Sequence, residues 1–167
     1  MLEEIYLKII SAKTAELFAA ATKVGAILAD ANTKEKDALE FYGRNLGLTF
    51  QIADDTLDYN SDLKLFGKKN GQDFFEGKIT LPIILLFQKL DLSEKKILSE
   101  IFKKELRNKE DFEKTISLIK KYKIINECYQ KAQHYINLAS NSLTVLKDSR
   151  EKNILKNLTS FSLTRNF

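Results

Sequence analysis

Helix-breaking residues are almost absent from this chain, which contains one proline and six glycines in 167 residues. Polar and apolar residues do not alternate over any useful length, so strands are not indicated either. In the second half of the chain, apolar residues recur at the three-four spacing of a buried helix face: Ile124, Ile125, Cys128, Ala132, Tyr135, Ile136, Ala139, Leu143 and Leu146. The sequence therefore predicts an all-α fold.

The ends of the predicted helices are marked by short capping patterns. We predict helices over 3–10, 12–30, 34–60, 73–90, 94–106, 110–120, 122–147 and 150–163. Four starts have a side-chain acceptor three residues ahead of an acid, which is the capping-box pattern: Asn32 with Glu35, Asp91 with Glu94, Asn108 with Asp111, and Asp148 with Glu151. Segment 61–70 is predicted to be the chief irregular loop.

The length of the chain indicates one domain, and its charge argues against nucleic-acid binding. A chain of 167 residues suits a single domain, 1–167, in which 1–90 would carry the active-site helices and 91–167 the scaffold helices. The net charge of +4 is spread evenly and not gathered on one basic face, which argues against a nucleic-acid partner. The lone His134 lies among charged and amide residues and is expected at the surface or in a structural role.

The cysteine content and the apolar runs bear on the compartment. The lone Cys128 can form no internal disulfide and is expected to be a buried, reduced thiol. No apolar run approaches the roughly 20 residues that span a bilayer. The acidic N-terminal residues do not form a signal-peptide pattern. We therefore expect a cytoplasmic protein without a transmembrane segment.

A cluster of carboxylates stands on one predicted helix. On a helix that advances about 100° per residue, Gln51, Asp54, Asp55 and Asp58 fall within roughly one third of the circumference. Clustered acids on a solvated face commonly bind nothing. Here the neighbours are apolar, and the helix is expected to be buried on most sides: Leu46, Gly47, Leu48, Phe50, Ile52, Ala53 and Leu57. Because such carboxylates repel one another, the pattern favours a cation, and Mg²⁺ suits oxygen ligands.

Lysines follow the carboxylates closely. Lys68 and Lys78 could each be ordinary surface lysines, but glycines and a proline frame both of them. A lysine is a suitable point charge for a diphosphate. Asp73 and Glu76 would either face the metal or hold these lysines in place, and the second interpretation is favoured. The whole segment predicts a site where metal ions bridge carboxylates to a phosphate or diphosphate.

A second candidate lies near the N-terminus. Lys13 and Thr14 belong to a predicted helix of mostly small or apolar residues, which is expected to be buried almost all round. A lysine there would need an anion, unless it reaches solvent at the helix end. A threonine at that point can turn a hydroxyl and a kinked backbone carbonyl towards a cleft.

Three segments together resemble the trans-polyprenyl diphosphate synthases. They are KTAxLF at 13–18, GLxFQIxDDxxDY at 47–59 and GKxxGxDxxEGKxTLPxILL at 67–86. The DY after the aspartates and the EGKITLP segment look most similar to the long-chain branch, such as octaprenyl diphosphate synthase. The resemblance runs over essentially the whole chain. It implies an antiparallel helical bundle of the isoprenoid synthase type.

The resemblance also implies a reaction and a role for each motif residue. Metal ions would draw the diphosphate from an allylic substrate, the carbocation would alkylate isopentenyl diphosphate, and a proton would leave. Lys13 and Lys68 would grip the allylic diphosphate, with Lys78 as a supporting charge. Thr14 and Gln51 would turn oxygens towards the developing cation. Asp54 and Asp58 would be ligands of the Mg²⁺ ion, and Asp55 would be a weaker ligand or would support the other two.

Members of this family carry two aspartate-rich motifs, and this sequence resembles only the C-terminal half, which carries the second. We therefore expect a partial bundle that is inactive in chain elongation when alone. It would self-associate, or pair with a chain that supplies the first motif, as a working half or as a non-catalytic subunit. Product length cannot be predicted, because the residues that limit it in such enzymes lie near the first motif.

Overall fold

The computed structural model describes residues 2–60 and 71–164, and all regular structure within them is helical. The α-helices of these two stretches are α1 (Glu3–Ile10), α2 (Glu16–Leu28), α3 (Thr33–Leu57), α4 (Gln72–Phe75), α5 (Leu81–Lys89), α6 (Leu92–Lys103), α7 (Lys109–Lys121), α8 (Ile124–Ser142) and α9 (Arg150–Thr164). A π turn, Ser11–Ala15, joins α1 to α2, and a 3₁₀ turn, Leu143–Val145, follows α8. The predicted all-α fold is confirmed, while the loop predicted over 61–70 lies outside the described residues.

Capping boxes set the starts of three helices as predicted. At α6 the Asp91 carboxylate accepts the Glu94 N–H, and the Glu94 side chain accepts the Asp91 N–H in return. The same reciprocal bonds join Asn32 with Glu35 ahead of α3 and Asn108 with Asp111 ahead of α7. The fourth pair is wrong by one residue. Ser149 caps α9, because its hydroxyl oxygen accepts the Lys152 N–H at 3.1 Å, whereas Asp148 forms an ion pair with the Lys152 ammonium.

The helix predicted over 73–90 is broken in two, which corrects the sequence-based boundary. Gly77 has a φ of 75°, which no helical residue adopts, and Thr80 is extended with a ψ of 178°. Pro82 then stands in the first turn of α5, where its missing N–H costs no helical hydrogen bond. The helix predicted over 122–147 is likewise shorter, because Lys123 has a φ of 54° and α8 begins after it.

The chain divides into two compact units, and each is made of segments from two parts of the sequence. One unit comprises the described residues of Met1–Tyr6 and Asp54–Tyr129. The other comprises the described residues of Leu7–Ala53 and Gln130–Phe167. The expectation of a single domain, with active-site helices over 1–90 and scaffold helices over 91–167, stays a prediction.

The unit made of Leu7–Ala53 and Gln130–Phe167 has a small, mostly apolar core. Tyr42 and Leu46 of α3 pack with Ala139 of α8 and with Leu143. The Tyr42 hydroxyl donates to the Leu155 carbonyl oxygen of α9 at 2.8 Å, so its polar end is satisfied inside the core. Burial raises the pKa of Tyr42 to about 12.

The unit that contains α5 is built around that helix and an aromatic cluster. Residues 81–86 of α5 are all buried, and α5 packs against α7. The fully buried Phe74 lies between three other rings at centroid distances of 5.3 to 5.6 Å: Phe75, Phe102 and Phe112. Cys128 is a buried free thiol and His134 is exposed, both as expected.

The apolar helix α2 is largely exposed in this chain, contrary to the expectation that it would be buried almost all round. Ala19 and Ala26 are its buried residues. Leu17, Val24 and Leu28 are 74%, 51% and 81% exposed, at the spacing of one helix face. Apolar character predicted burial, but the described part of the chain packs only one side of α2. None of the described helices combines the length and apolar character needed to cross a membrane.

Candidate functional site

The helix that carries Lys13 and Thr14 changes its winding at these residues. Ser11–Ala15 is a π turn, in which the Glu16 N–H donates to the Ser11 carbonyl oxygen. A π turn inserts one residue into an α-helix, and such turns are frequent at functional sites. The backbone at Thr14 is therefore distorted, while a carbonyl turned towards a cleft stays a prediction.

Lys13 is exposed, which agrees with the alternative that it reaches solvent and not with burial on an apolar helix. Water solvates its ammonium, and burial does not force it to find an anion. The same π turn nevertheless carries both motif residues. The assignment of Lys13 to a diphosphate stays a prediction.

Two small residues bring the π turn against α3. A Cβ atom added to Gly47 would lie 2.6 Å from the Ala15 Cα atom, so only glycine permits this approach. One helical turn beyond Gly47 lies Gln51, and its side-chain oxygen accepts a hydrogen bond from the Thr14 hydroxyl at 2.9 Å. Two predicted site residues that are 37 positions apart are thus in direct contact.

The C-terminal part of α3 is buried on most sides, as predicted. Between Tyr42 and Leu57 the residues that keep partial exposure are Arg44, Phe50, Gln51 and Asp54. Asp55 and Asp58 are only 4% and 6% exposed. The three aspartates therefore differ in their surroundings, since only Asp54 is partly open to solvent.

A tyrosine of α1 holds the second aspartate. The Tyr6 hydroxyl donates to an Asp55 carboxylate oxygen at 2.8 Å, and both groups are buried. Burial, and after it the nearby Asp55 carboxylate, raise the pKa of Tyr6 far above its ordinary value. The phenol therefore stays a hydrogen-bond donor at any physiological pH.

The third aspartate accepts hydrogen bonds from the backbone of α4. One Asp58 oxygen accepts the Gln72 N–H at 3.0 Å, and the other accepts the Asp73 N–H at 2.8 Å. The Asp58 carbonyl oxygen also accepts the Gly71 N–H at 3.0 Å. Asp58 is thus bonded to the backbone N–H groups of three consecutive residues at the start of α4.

Lys78 lies between two carboxylates. Its ammonium is 3.0 Å from an Asp73 oxygen and 2.7 Å from a Glu76 oxygen. Hydrogen bonds to Glu76 and then to Asp73 raise the pKa of Lys78, and the bond to Lys78 lowers the pKa of Glu76. The favoured interpretation, that Asp73 and Glu76 hold a lysine in place, is confirmed for Lys78. Lys68 lies outside the described residues.

The donor set suits Mg²⁺ in chemical type. Within residues 2–60 and 71–164, no group of three or more histidine, cysteine, aspartate or glutamate side chains is arranged to hold a metal ion. Mg²⁺ does not need such a cage, because it commonly binds one or two carboxylates together with substrate phosphates and water. Asp54, as the partly open aspartate, fits that mode best. Metal binding by Asp54, Asp55 and Asp58 stays a prediction.

Two residues at the site were missed by the sequence motifs. Tyr6 precedes the KTAxLF segment, and nothing in its spacing indicates a bond to an aspartate 49 residues away. Arg107 lies in a polar connection between α6 and α7, yet it donates to the backbone carbonyls of Phe74 and Phe75. No local pattern could have revealed either contact, because both depend on the tertiary fold.

The fold is similar to those of solved prenyl synthases. A crystal structure of a polyprenyl synthase from Caulobacter crescentus CB15, complexed with calcium and isoprenyl diphosphate, superposes with a TM-score of 0.93 at 35% identity, covering 100% of this chain and 51% of that one. The helices described above therefore define an all-α protein of the isoprenyl synthase class, and the predicted fold class is confirmed.

Sequence relatives define the family within that class. The family model for polyprenyl synthetases matches residues 1–119. A geranylgeranyl diphosphate synthase from Methanosarcina mazei is 33% identical over 165 residues, covering 99% of this chain and 49% of the relative. An octaprenyl diphosphate synthase from Haemophilus influenzae is 30% identical over 165 residues, and the match covers 99% of this chain and 50% of that relative. The chain belongs to the polyprenyl synthetase family.

The chain spans about half the length of the curated relatives that it matches. This agrees with the expectation that the resemblance covers half of a family member. The two relatives named above carry names for products of different length, so the long-chain subclass stays a prediction.

Proposed function

We propose that this chain supplies the part of a cytoplasmic, Mg²⁺-dependent prenyltransferase that binds an allylic diphosphate for condensation with isopentenyl diphosphate. The observation that carries the proposal is the hydrogen bond between Thr14 and Gln51 at a π turn. It joins the KTAxLF and FQIxDD motifs, which are distant in sequence, through polar atoms and not through apolar packing alone. Family membership supports the reaction class.

Thr14 and Gln51 would stabilise the positive charge that develops when the allylic diphosphate departs. The Thr14 hydroxyl donates a hydrogen bond to the Gln51 side-chain oxygen. The lone pairs of the Thr14 oxygen therefore remain available to face a cation. The bond also fixes the orientation of the Gln51 amide. Fixed oxygen dipoles need no reorganisation during the reaction, which makes them effective in stabilising a transition-state charge.

The diphosphate itself would be held by charges of both signs. Asp54 would be the principal Mg²⁺ ligand, and a bound Mg²⁺ ion would neutralise charge on the diphosphate oxygens. As the family resemblance implies, Lys13, Lys68 and Lys78 would each serve as a point charge for a diphosphate. The Asp73 and Glu76 carboxylates hold the Lys78 ammonium in a fixed position.

We propose that the chain alone does not elongate a substrate, because it spans about half of its relatives. The test is to incubate the purified chain with farnesyl diphosphate, radiolabelled isopentenyl diphosphate and Mg²⁺. No labelled product above a protein-free control is expected. Clear product formation would overturn this part of the proposal.

The exposed face of α2 favours a second candidate, a subunit that pairs with a chain carrying the first aspartate motif. Large exposed apolar faces commonly mark interaction surfaces. Sedimentation of the chain should show self-association, which Leu17→Glu with Leu28→Glu should reduce. The matched control is Leu92→Glu with Leu106→Glu. These two leucines are 87% and 89% exposed on other segments, and their substitution should leave self-association unchanged. A monomeric chain that gains no elongation activity on mixing with such a partner would contradict pairing.

A further inference from the structure

The short helix α4 lies directly before Lys78 and cannot be stable by itself. It has four residues, Gln72–Phe75, and an isolated helix needs many more to form in water. The Lys78 N–H donates to the Asp73 carbonyl oxygen at 2.9 Å, and the Lys78 ammonium bonds to the Asp73 carboxylate. The position of this lysine therefore depends on whatever holds α4.

Asp58 holds the N-terminal end of α4. Its two carboxylate oxygens accept the Gln72 and Asp73 N–H groups, which have no partner inside so short a helix. A carboxylate at a helix N-terminus also complements the partial positive charge there. Asp58 is 6% exposed, so its hydrogen bonds are sheltered from water.

Arg107 holds the C-terminal end. Its Nε donates to the Phe74 carbonyl oxygen at 2.8 Å, and its Nη2 donates to the Phe75 carbonyl oxygen at 3.3 Å. Its Nη1 donates to the Lys104 carbonyl oxygen at 2.8 Å, which anchors the guanidinium to the end of α6. A cation at a helix C-terminus complements the partial negative charge of the last carbonyls.

Two glycines with positive φ let both ends be held so closely. Gly71 has a φ of 88°, and an added Cβ would lie 2.8 Å from the Phe112 ring. Gly77 has a φ of 75°, and an added Cβ would lie 2.4 Å from an Arg107 nitrogen. The glycines of the GxDxxEG pattern are thus explained by contacts with α7 and Arg107.

We propose that Asp58 and Arg107 clamp α4 from its two ends and thereby position Lys78 for a diphosphate, so that Asp58 is a positioning residue and not a metal ligand. The role of Lys78 rests on the proposed function, whereas the clamp does not. Both Asp58 oxygens are already engaged with backbone N–H groups. Metal ligation would compete with these bonds. The aspartates of the motif would then have different roles, with Asp54 as the proposed metal ligand.

The clamp is tested by amide hydrogen exchange in the full chain, followed by NMR. Asp58→Asn should speed exchange of either the Gln72 or the Asp73 amide by about tenfold or more, because one of the two acceptor oxygens is replaced by an NH₂ group. Arg107→Gln should leave those two amides unchanged and speed exchange of the Lys78 amide. Arg107 is partly exposed, so this variant keeps the proposal testable should Asp58→Asn fail to fold. Unchanged exchange at all three amides would overturn the clamp.

The positioning role is tested by calorimetric titration with pyrophosphate at several Mg²⁺ concentrations. Asp58→Asn and Arg107→Gln should each weaken pyrophosphate binding several-fold and leave the Mg²⁺ concentration for half-saturation unchanged. Asp54→Asn should raise that concentration without altering exchange at Gln72 and Asp73. A rise with Asp58→Asn equal to that with Asp54→Asn would make Asp58 a ligand and refute the proposal. If the unmodified chain binds no pyrophosphate, the proposed function fails, and the exchange data still decide the clamp.

Discussion

The close approach of α3 to the π turn predicts opposite outcomes for two glycine-to-alanine changes. In Gly47→Ala the new Cβ would lie 2.6 Å from the Ala15 Cα atom and 3.2 Å from the Phe18 Cβ atom. Carbon atoms pack best at about 3.5–4.0 Å, so the two backbones must separate by about 1 Å. In Gly25→Ala, on α2, the new Cβ meets nothing within 4 Å.

The magnitudes follow from these contacts. Overpacking in a tight core costs about 1–3 kcal/mol, and the upper half of that range applies because the struck atom at Ala15 belongs to the backbone. Alanine recovers about 0.5–1 kcal/mol over glycine in any helix. Gly47→Ala should therefore lower the free energy of unfolding by about 1–2.5 kcal/mol, whereas Gly25→Ala should raise it by about 0.4–1 kcal/mol.

Thermal unfolding followed by circular dichroism measures both changes. For a chain of this size, Gly47→Ala should lower Tm by about 2–10 °C and Gly25→Ala should raise it. Both variants gain the same methyl group in a helix, so each controls for the other. Equal shifts of Tm, or a Gly47→Ala protein more stable than the unmodified chain, would refute the close approach that places Thr14 on Gln51.

The buried tyrosines give two further predictions. Tyr6→Phe should lower the free energy of unfolding in urea by about 1.5–3 kcal/mol, because it removes a buried hydrogen bond to the Asp55 carboxylate. The matched control is Tyr122→Phe, which removes a hydroxyl that bonds to Glu94 near the surface and should lower the free energy of unfolding by less. Since burial raises the pKa of Tyr6 and of Tyr59, the unfolded chain loses these protons first, and stability that is fully present below about pH 10 should decline above it. Tyr6→Phe should make that decline shallower by up to about 1.4 kcal/mol per pH unit, and an unchanged slope would show that Tyr6 titrates normally in the folded chain.

Much of the fold follows from local signals in the sequence. Capping boxes at Asn32, Asp91 and Asn108 predicted three helix starts, because a cap is made within four residues of the chain. The break within 73–90 was missed even though Gly77 and Pro82 were visible. A glycine alone does not reveal a positive φ. At Gly77 the positive φ ends α4, where the Lys78 N–H donates back to the Asp73 carbonyl oxygen.

The sequence predicted which residues belong to the candidate site better than it predicted which groups those residues contact. The carboxylate face of α3 follows from helical spacing, and a threonine at position 14 indicated only that a kinked backbone was possible there. The division among the aspartates does not, since it depends on Tyr6 and on the backbone amides of Gln72 and Asp73. The exposure of α2 could not be predicted from its composition, because apolar residues do not specify which element covers them.

The most direct test of the central claim is calorimetric titration of the full chain with pyrophosphate in the presence and absence of Mg²⁺. The account predicts binding that requires Mg²⁺ and that is lost in Asp54→Asn. Asp37→Asn, an exposed aspartate near the start of the same helix, is the control and should bind as the unmodified chain does. Absence of Mg²⁺-dependent binding, or equal binding by the Asp54→Asn and Asp37→Asn proteins, would contradict a metal-bridged diphosphate site on α3.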